Sequence, residues 1–263
     1  TDARLIAPKP SSWTFEQASA MPVVWATVWS AFEDCMVLRP NHRVLIHVAT
    51  GGVGLTAVRY ALAKGADIYA TAGRESKHEY LRSTMGIPAG RIGSSRDCGA
   101  FRQQMDAAFA VEFGKPSANG QLDVVLNSLS HDQYIPESLK MVKDDEGHFI
   151  EVGAVDIWTK EQMQSARPRV AYHILDVTSR AMMDPEWMGR ILTKLSNAAK
   201  GPYPIASPLP FDTFDMRTQC VAAFKHLQQA DHVGKVVVVI RPSLTLALDP
   251  QGSYLVSGGT GAL

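Results

Sequence analysis

A chain of 263 residues with 26 basic and 26 acidic side chains carries no formal net charge, which argues against a nucleic-acid or anionic-membrane binder. Cys35, Cys98 and Cys220 lie too far apart for a disulfide framework or a cysteine zinc site. No apolar run approaches the ~20 residues that cross a bilayer, so a reducing, cytoplasmic setting is expected.

Residues 1–12 are an extended, proline-bearing lead-in. Ser12 with Glu16 has the form of an N-terminal cap, and a helix is expected within Ala18 to Phe32. Val44 to Val48 (VLIHV) is a short apolar run bounded by polar residues and glycine, the pattern of a strand buried on both faces. Leu55 to Lys64 fits a helix, Asp67 to Ala72 a strand, Lys77 to Met85 a helix and Arg91 to Ser94 a third strand. Phe101 to Phe113, Asp132 to Met141 and Trp187 to Ala199 read as helices, and Asp123 to Asn127, His148 to Val152 and Ala171 to Leu175 as strands. This alternation predicts an α/β fold, a Rossmann-like doubly wound parallel sheet with right-handed crossovers. From Tyr203 the character changes to a proline-rich extended stretch, a helix over Thr218 to Ala230 and a strand over Lys235 to Ile240. Such a tail is expected to belong to an incomplete substrate domain. The predicted organisation is a nucleotide-binding domain over 1–202, a return segment over 203–241, a linker over 242–250 and the opening of another domain over 251–263.

Between the first predicted strand and helix lies Ala49-Thr50-Gly51-Gly52-Val53-Gly54, a dinucleotide fingerprint with alanine in the first glycine place. Gly51 lets the backbone approach a diphosphate, Gly54 lets helix pack on strand, and the helix N-terminus offers free N–H groups. An NAD site normally places an acid ~20 residues further on, to hold the ribose hydroxyls. Here the run is Thr71-Ala72-Gly73-Arg74-Glu75-Ser76-Lys77, with Arg96 following the third strand. Arg74, Lys77 and Arg96 suit a 2'-phosphate, which favours NADPH; the alternative is that Arg74 and Lys77 merely open a solvated helix.

The run HVATGGVGLTAVRYALAKGADIYATAG, the SSRD segment, DVVLNSL at 123–129, FIEVG at 149–153 and HVGKVVV at 232–238 together resemble the enoyl reductase domains of type I polyketide synthases and animal-type fatty acid synthases, of the medium-chain dehydrogenase/reductase type. The resemblance runs in order from about Asp2 to Ile240. Beyond it, SYLVSGGTGAL resembles the opening of a ketoreductase domain, so the natural polypeptide is expected to continue.

The resemblance implies hydride transfer from NADPH to the β-carbon of a trans-2-enoyl thioester on an acyl carrier protein, then protonation of the α-carbon. It implies that Asn127, Ser128 and Leu129 border the cofactor near its nicotinamide and that Val152 and Gly153 close over the same end. By propensity alone Asn127 and Ser128 could equally be a helix cap. Neighbouring ketoreductase and other synthase domains, and a homodimer of the full synthase, are further implied partners.

The family usually follows the Val-Gly pair with a lysine thought to supply the proton or stabilise the enolate; this chain has Ala154. The family's companion acid corresponds to Asp176, which could equally be a plain helix cap. Most of the family's substrate domain is built from residues preceding the segment matched here. A degenerate, non-catalytic reductase domain kept as a structural element is therefore the alternative reading. No histidine spacing suggests a metal, and His131 and Asp132 beside Ser128 do not make a nucleophile triad.

Overall fold

The computed structural model describes residues 2–114, 120–153, 155–200, 206–241 and 251. Short apolar runs form β1 (Arg43–Ile46), β2 (Asp67–Ala72), β3 (Ile92–Ser94), β4 (Val124–Asn127), β5 (His148–Glu151) and β6 (Ala171–Ile174). They join in one parallel sheet of order β3-β2-β1-β4-β5-β6. The order reverses between β1 and β4, and in open α/β sheets ligands sit in the crevice at the carboxyl ends of the strands flanking such a reversal.

Both faces of the sheet are covered, which is why its strands read as nearly continuous apolar runs. On one face Val44, Ile46, Ile68, Ala70, Val124, Leu126 and Ile150 pack into a core with α2 (Pro22–Trp29), α3 (Gly52–Ala63) and α9 (Pro185–Ala198). On the other, Leu45, Tyr69, Val125 and Phe149 pack under α5 (Cys98–Phe113) and α6 (Tyr134–Met141). The alternation along β1, Val44 and Ile46 one way and Leu45 the other, is the period of two expected of a strand.

Several local expectations are corrected. The first helix, α1 (Phe15–Ser19), is capped by Thr14 in a reciprocal capping box with Gln17, not by Ser12 with Glu16. The helix expected over Ala18 to Phe32 is interrupted at Ala20 and Met21, because Pro22 takes the first turn of α2, where its missing N–H costs nothing. Two helices, α7 (Lys160–Ala166) and α8 (Val177–Met183), were not anticipated: each buries one residue, Met163 or Val177, too little for an apolar period to show.

The carboxyl-terminal part adds β7 (Phe211–Asp215), α10 (Cys220–Gln229) and β8 (Lys235–Val239), with β7 and β8 paired in parallel as a separate two-stranded sheet. This sheet meets the turn between β1 and α3. The Gly234 N–H donates to the Thr50 carbonyl at 2.8 Å, and Gly51 and Gly234 form an isolated bridge. Gly234 has φ of 84°, and a Cβ there would lie 2.0 Å from the Pro210 carbonyl oxygen, so only glycine fits. Ala154, the expected linker and the ketoreductase-like segment beyond Gln251 lie outside the described residues.

Candidate functional site

The turn between β1 and α3 is built for close approach. Gly51 is the N-cap of α3 and no side chain caps it. Gly51 N–H donates back to the Val48 carbonyl and Leu55 N–H to the Gly51 carbonyl. Among the described residues no acceptor meets the N–H groups of Gly52, Val53 or Gly54, the orphan donors of a helix start. A Cβ at Gly54 would stand 2.3 Å from the Val48 carbonyl oxygen, so helix and strand touch there through backbone alone. Ala49 is fully buried beneath the turn.

Val48 holds a φ of 50°, an outlier for a β-branched residue. Thr71 explains how it is held. Its side chain is fully buried and turned away from the crevice; Oγ1 accepts the Val48 N–H at 3.0 Å and lies 3.1 Å from His47 Nδ1. His47 Nε2 in turn lies 2.8 Å from Ser138 Oγ. Burial holds the His47 imidazole neutral, its pKa pulled down to about 3. Thr71, which opens the run expected to lie beside the cofactor, thus braces the turn from below.

At the carboxyl end of β2 the three cations come together. Arg96 packs across Gly73, where a Cβ would lie 2.8 Å from Arg96 Nε. Lys77 is only 8% exposed, and its Nζ donates to the Ala230 carbonyl at 2.7 Å. Burial depresses the Lys77 ammonium, and the nearby Arg96 and Arg74 charges press the same way while Asp231 opposes them. Lys77 is therefore no solvated helix-start residue. Arg74 is nearly half exposed and pairs with Asp231 at 2.6 Å.

Sequence reasoning missed Asp231, His232 and Lys235, all carried here by the return of the chain into β8. The aliphatic stem of Lys235 fills the space a Cβ at Gly52 would take, with Cδ 2.6 Å from that point. The signal was present as HVGKVVV at 232–238, but nothing local says which glycine turn it meets. Among the described residues Thr50 Oγ1 and His232 Nδ1 are buried without a partner. Free helix-start donors, an uncapped glycine cradle and a cation cluster beside them fit the phosphates of a dinucleotide.

At the carboxyl ends of β4 and β5, Asn127 is fully buried. Its amide donates to Glu151 Oε2 at 2.7 Å and to the Leu129 carbonyl at 3.2 Å, and its Oδ1 accepts the Leu129 N–H at 3.2 Å. Since α6 begins only at Tyr134, Asn127 and Ser128 cap no helix. Ser128 is exposed and Leu129 nearly buried. The Val152 N–H donates to the Asn127 carbonyl at 2.9 Å, and the Gly153 N–H to Glu151 Oε1 at 2.8 Å. Asn127, Ser128, Leu129, Val152 and Gly153 thus form one lip on two adjacent strands.

Asp176 stands apart, after β6, as the N-cap of α8. It accepts from the Ser179 N–H at 2.9 Å and the Ser179 hydroxyl at 2.5 Å, bonds that hold its carboxyl below the usual range. It lines an open cavity of about 490 Å³ together with Lys160, His173 and Cys35. Among the described residues no group of three or more His, Cys, Asp or Glu side chains could hold a metal ion. No helix among them is long and apolar enough to cross a membrane.

A family model described as zinc-binding dehydrogenase matches residues 52–196. The chain is 37% identical over 263 residues to the polyketide synthase GfsB of Streptomyces halstedii, covering all of this chain and 4% of that protein. It is 36% identical to the crystal structure of the CurK enoyl reductase, with a TM-score of 0.77, over 90% of this chain and 66% of that one. A structure described as a putative enoyl reductase domain of polyketide synthase is 30% identical, with a TM-score of 0.56, over 70% of this chain and 95% of that one. The chain thus spans a small part of the curated synthases it matches.

Proposed function

This chain belongs to the enoyl reductase domains of type I polyketide synthases, within the zinc-binding dehydrogenase family, and from that premise we propose that it uses NADPH to reduce a trans-2-enoyl thioester held on an acyl carrier protein. The observation that carries this reading is the set of unpartnered N–H groups at Gly52, Val53 and Gly54 beside the cluster of Arg74, Lys77 and Arg96. The N–H groups would hold the diphosphate and the cations the 2'-phosphate, with Lys235 reaching over the same turn. Lys77, desolvated and repelled by its neighbours, gains most from a dianion placed among them.

The lip formed by Asn127, Ser128, Leu129, Val152 and Gly153 would border the nicotinamide. When bound, NADPH supplies the hydride that adds to the enoyl β-carbon. Asp176, ionised and occupied by Ser179, serves as an acceptor rather than a donor, and Ala154 has no proton to give, so the α-carbon takes its proton from water. General acid catalysis typically contributes ~10²–10⁴-fold, so its loss slows the reaction without abolishing it. In the synthase, the acyl carrier protein, the neighbouring ketoreductase and a second copy of the chain are the expected partners, in a cytoplasmic setting.

Ala154 favours a second reading, a degenerate, non-catalytic reductase domain kept as a structural element. The test uses the chain within its full synthase polypeptide, incubated with NADPH and a 2-butenoyl-pantetheine thioester. Stoichiometric oxidation of NADPH with appearance of the saturated acyl product supports reduction. Cofactor binding without turnover favours the second reading, and no binding at millimolar NADPH defeats the first and leaves the second.

A further inference from the structure

Glu151 is a buried carboxyl group with no cationic partner among the described residues. It ends β5 fully buried, opposite Asn127 in the parallel register. Among the described residues its carboxylate is met by N–H groups: the Asn127 amide at 2.7 Å on Oε2, the Gly153 amide at 2.8 Å on Oε1, and the Val152 amide close by. Burial pushes the carboxyl above its usual range and these donors pull it back; no lysine, arginine or histidine is among the groups acting on it. The nearby Tyr172 phenol, which donates to the Trp158 carbonyl, is pushed up to about 12 chiefly by burial, with Glu151 adding to the effect.

Such a group is expensive to keep. Replacing an ionised carboxylate in a protein interior by an uncharged side chain of similar volume is often neutral or stabilising. The position of Glu151 suggests what the charge is for, because both groups it binds through side chain and loop, Asn127 and Gly153, belong to the lip at the carboxyl ends of β4 and β5. A nicotinamide ring is neutral when reduced and positively charged once the hydride has left. A fixed negative charge held at this lip would act on that difference, and a preorganised charge is a strong form of transition-state stabilisation.

We propose that Glu151 biases the site toward the oxidised, positively charged nicotinamide and so favours hydride departure, while positioning the Asn127 amide. This rests on the reading of the chain as an NADPH-binding domain. The residue acts through space and through Asn127 and takes no part in bond making.

The test is equilibrium binding of NADP+ and NADPH, each titrated against the wild-type protein and Glu151→Gln by calorimetry. The expected result is a roughly tenfold loss of NADP+ affinity relative to NADPH, a difference of about 1.4 kcal/mol. Glu151→Met, also uncharged and of similar volume, is the second variant should the first not fold, and Glu151→Asp should keep the wild-type ratio. Equal losses for both cofactor forms would reduce Glu151 to a structural prop and overturn the proposal, as would an unchanged ratio. A wild-type protein that binds neither form overturns the cofactor reading itself, an outcome distinct from an insensitive ratio.

Discussion

Adding one methyl group at Gly54 tests whether the close contact of helix and strand shapes the cofactor cradle. The new Cβ would stand 2.3 Å from the Val48 carbonyl oxygen and 2.7 Å from Ala49 Cα, where ordinary contact begins near 3.4 Å. Both neighbours are backbone, so no side chain can swing aside, and the first turn of α3 must retreat by about 1 Å. Overpacking of this kind costs about 1–3 kcal/mol of stability. The same retreat carries the N–H groups of Gly52 and Val53 away from a bound diphosphate. With about 1.5 kcal/mol for each charge-assisted bond, losing two raises the NADPH Kd roughly hundredfold. Gly51→Ala meets the same carbonyl at a tighter-than-usual 3.3 Å and should show a small effect, and Gly90→Ala, with nothing within 4 Å, none. Urea unfolding followed by circular dichroism and NADPH titration followed by fluorescence measure the two quantities. A Gly54→Ala protein as stable and as tight-binding as Gly90→Ala would refute the reasoning.

Two further predictions concern stability. The His47 imidazole, with its folded pKa drawn down to about 3 from an ordinary 6.5, stays neutral while the unfolded chain takes up a proton; stability is full above pH 6.5 and falls as pH drops toward 3. The slope is about 1.4 kcal/mol per pH unit, and His47→Gln should lose that part of the slope between pH 4.5 and 6 in denaturation series, whereas an unaltered slope contradicts the assignment. Ala230, exposed at the end of α10 with φ of 53°, should give about 1 kcal/mol of added stability when changed to glycine, with the Lys77 bond to its carbonyl retained; a lower melting temperature would contradict this.

How much of this could be read from the chain depends on how local each feature is. The glycine turn and the strands around it were legible because their signals lie within a few residues: VLIHV, then the glycines, then a helical pattern. The cations at 74, 77 and 96 were also legible, since each follows a predicted strand end. What lies beside them was not, because Asp231 reaches Arg74 and Lys235 reaches Gly52 from a segment more than 150 residues away, through a glycine that reads only as a turn until Pro210 is seen beside it. Thr71 falls in the run expected to lie beside the cofactor, but strand parity turns it inward, onto His47. Glu151 was hidden in FIEVG as one acid in an apolar strand. Only the pairing of β4 with β5 places it against Asn127.

The central claim is that the cation cluster beside Gly73 holds a 2'-phosphate, and the most direct measurement compares NADPH with NADH in binding to the wild-type protein and to Arg96→Ala. The account predicts that NADPH binds at least tenfold tighter than NADH, as one charge-assisted contact of about 1.5 kcal/mol requires, and that the variant loses most of that preference. Equal affinities for the two cofactors, or a preference that survives Arg96→Ala intact, would contradict it.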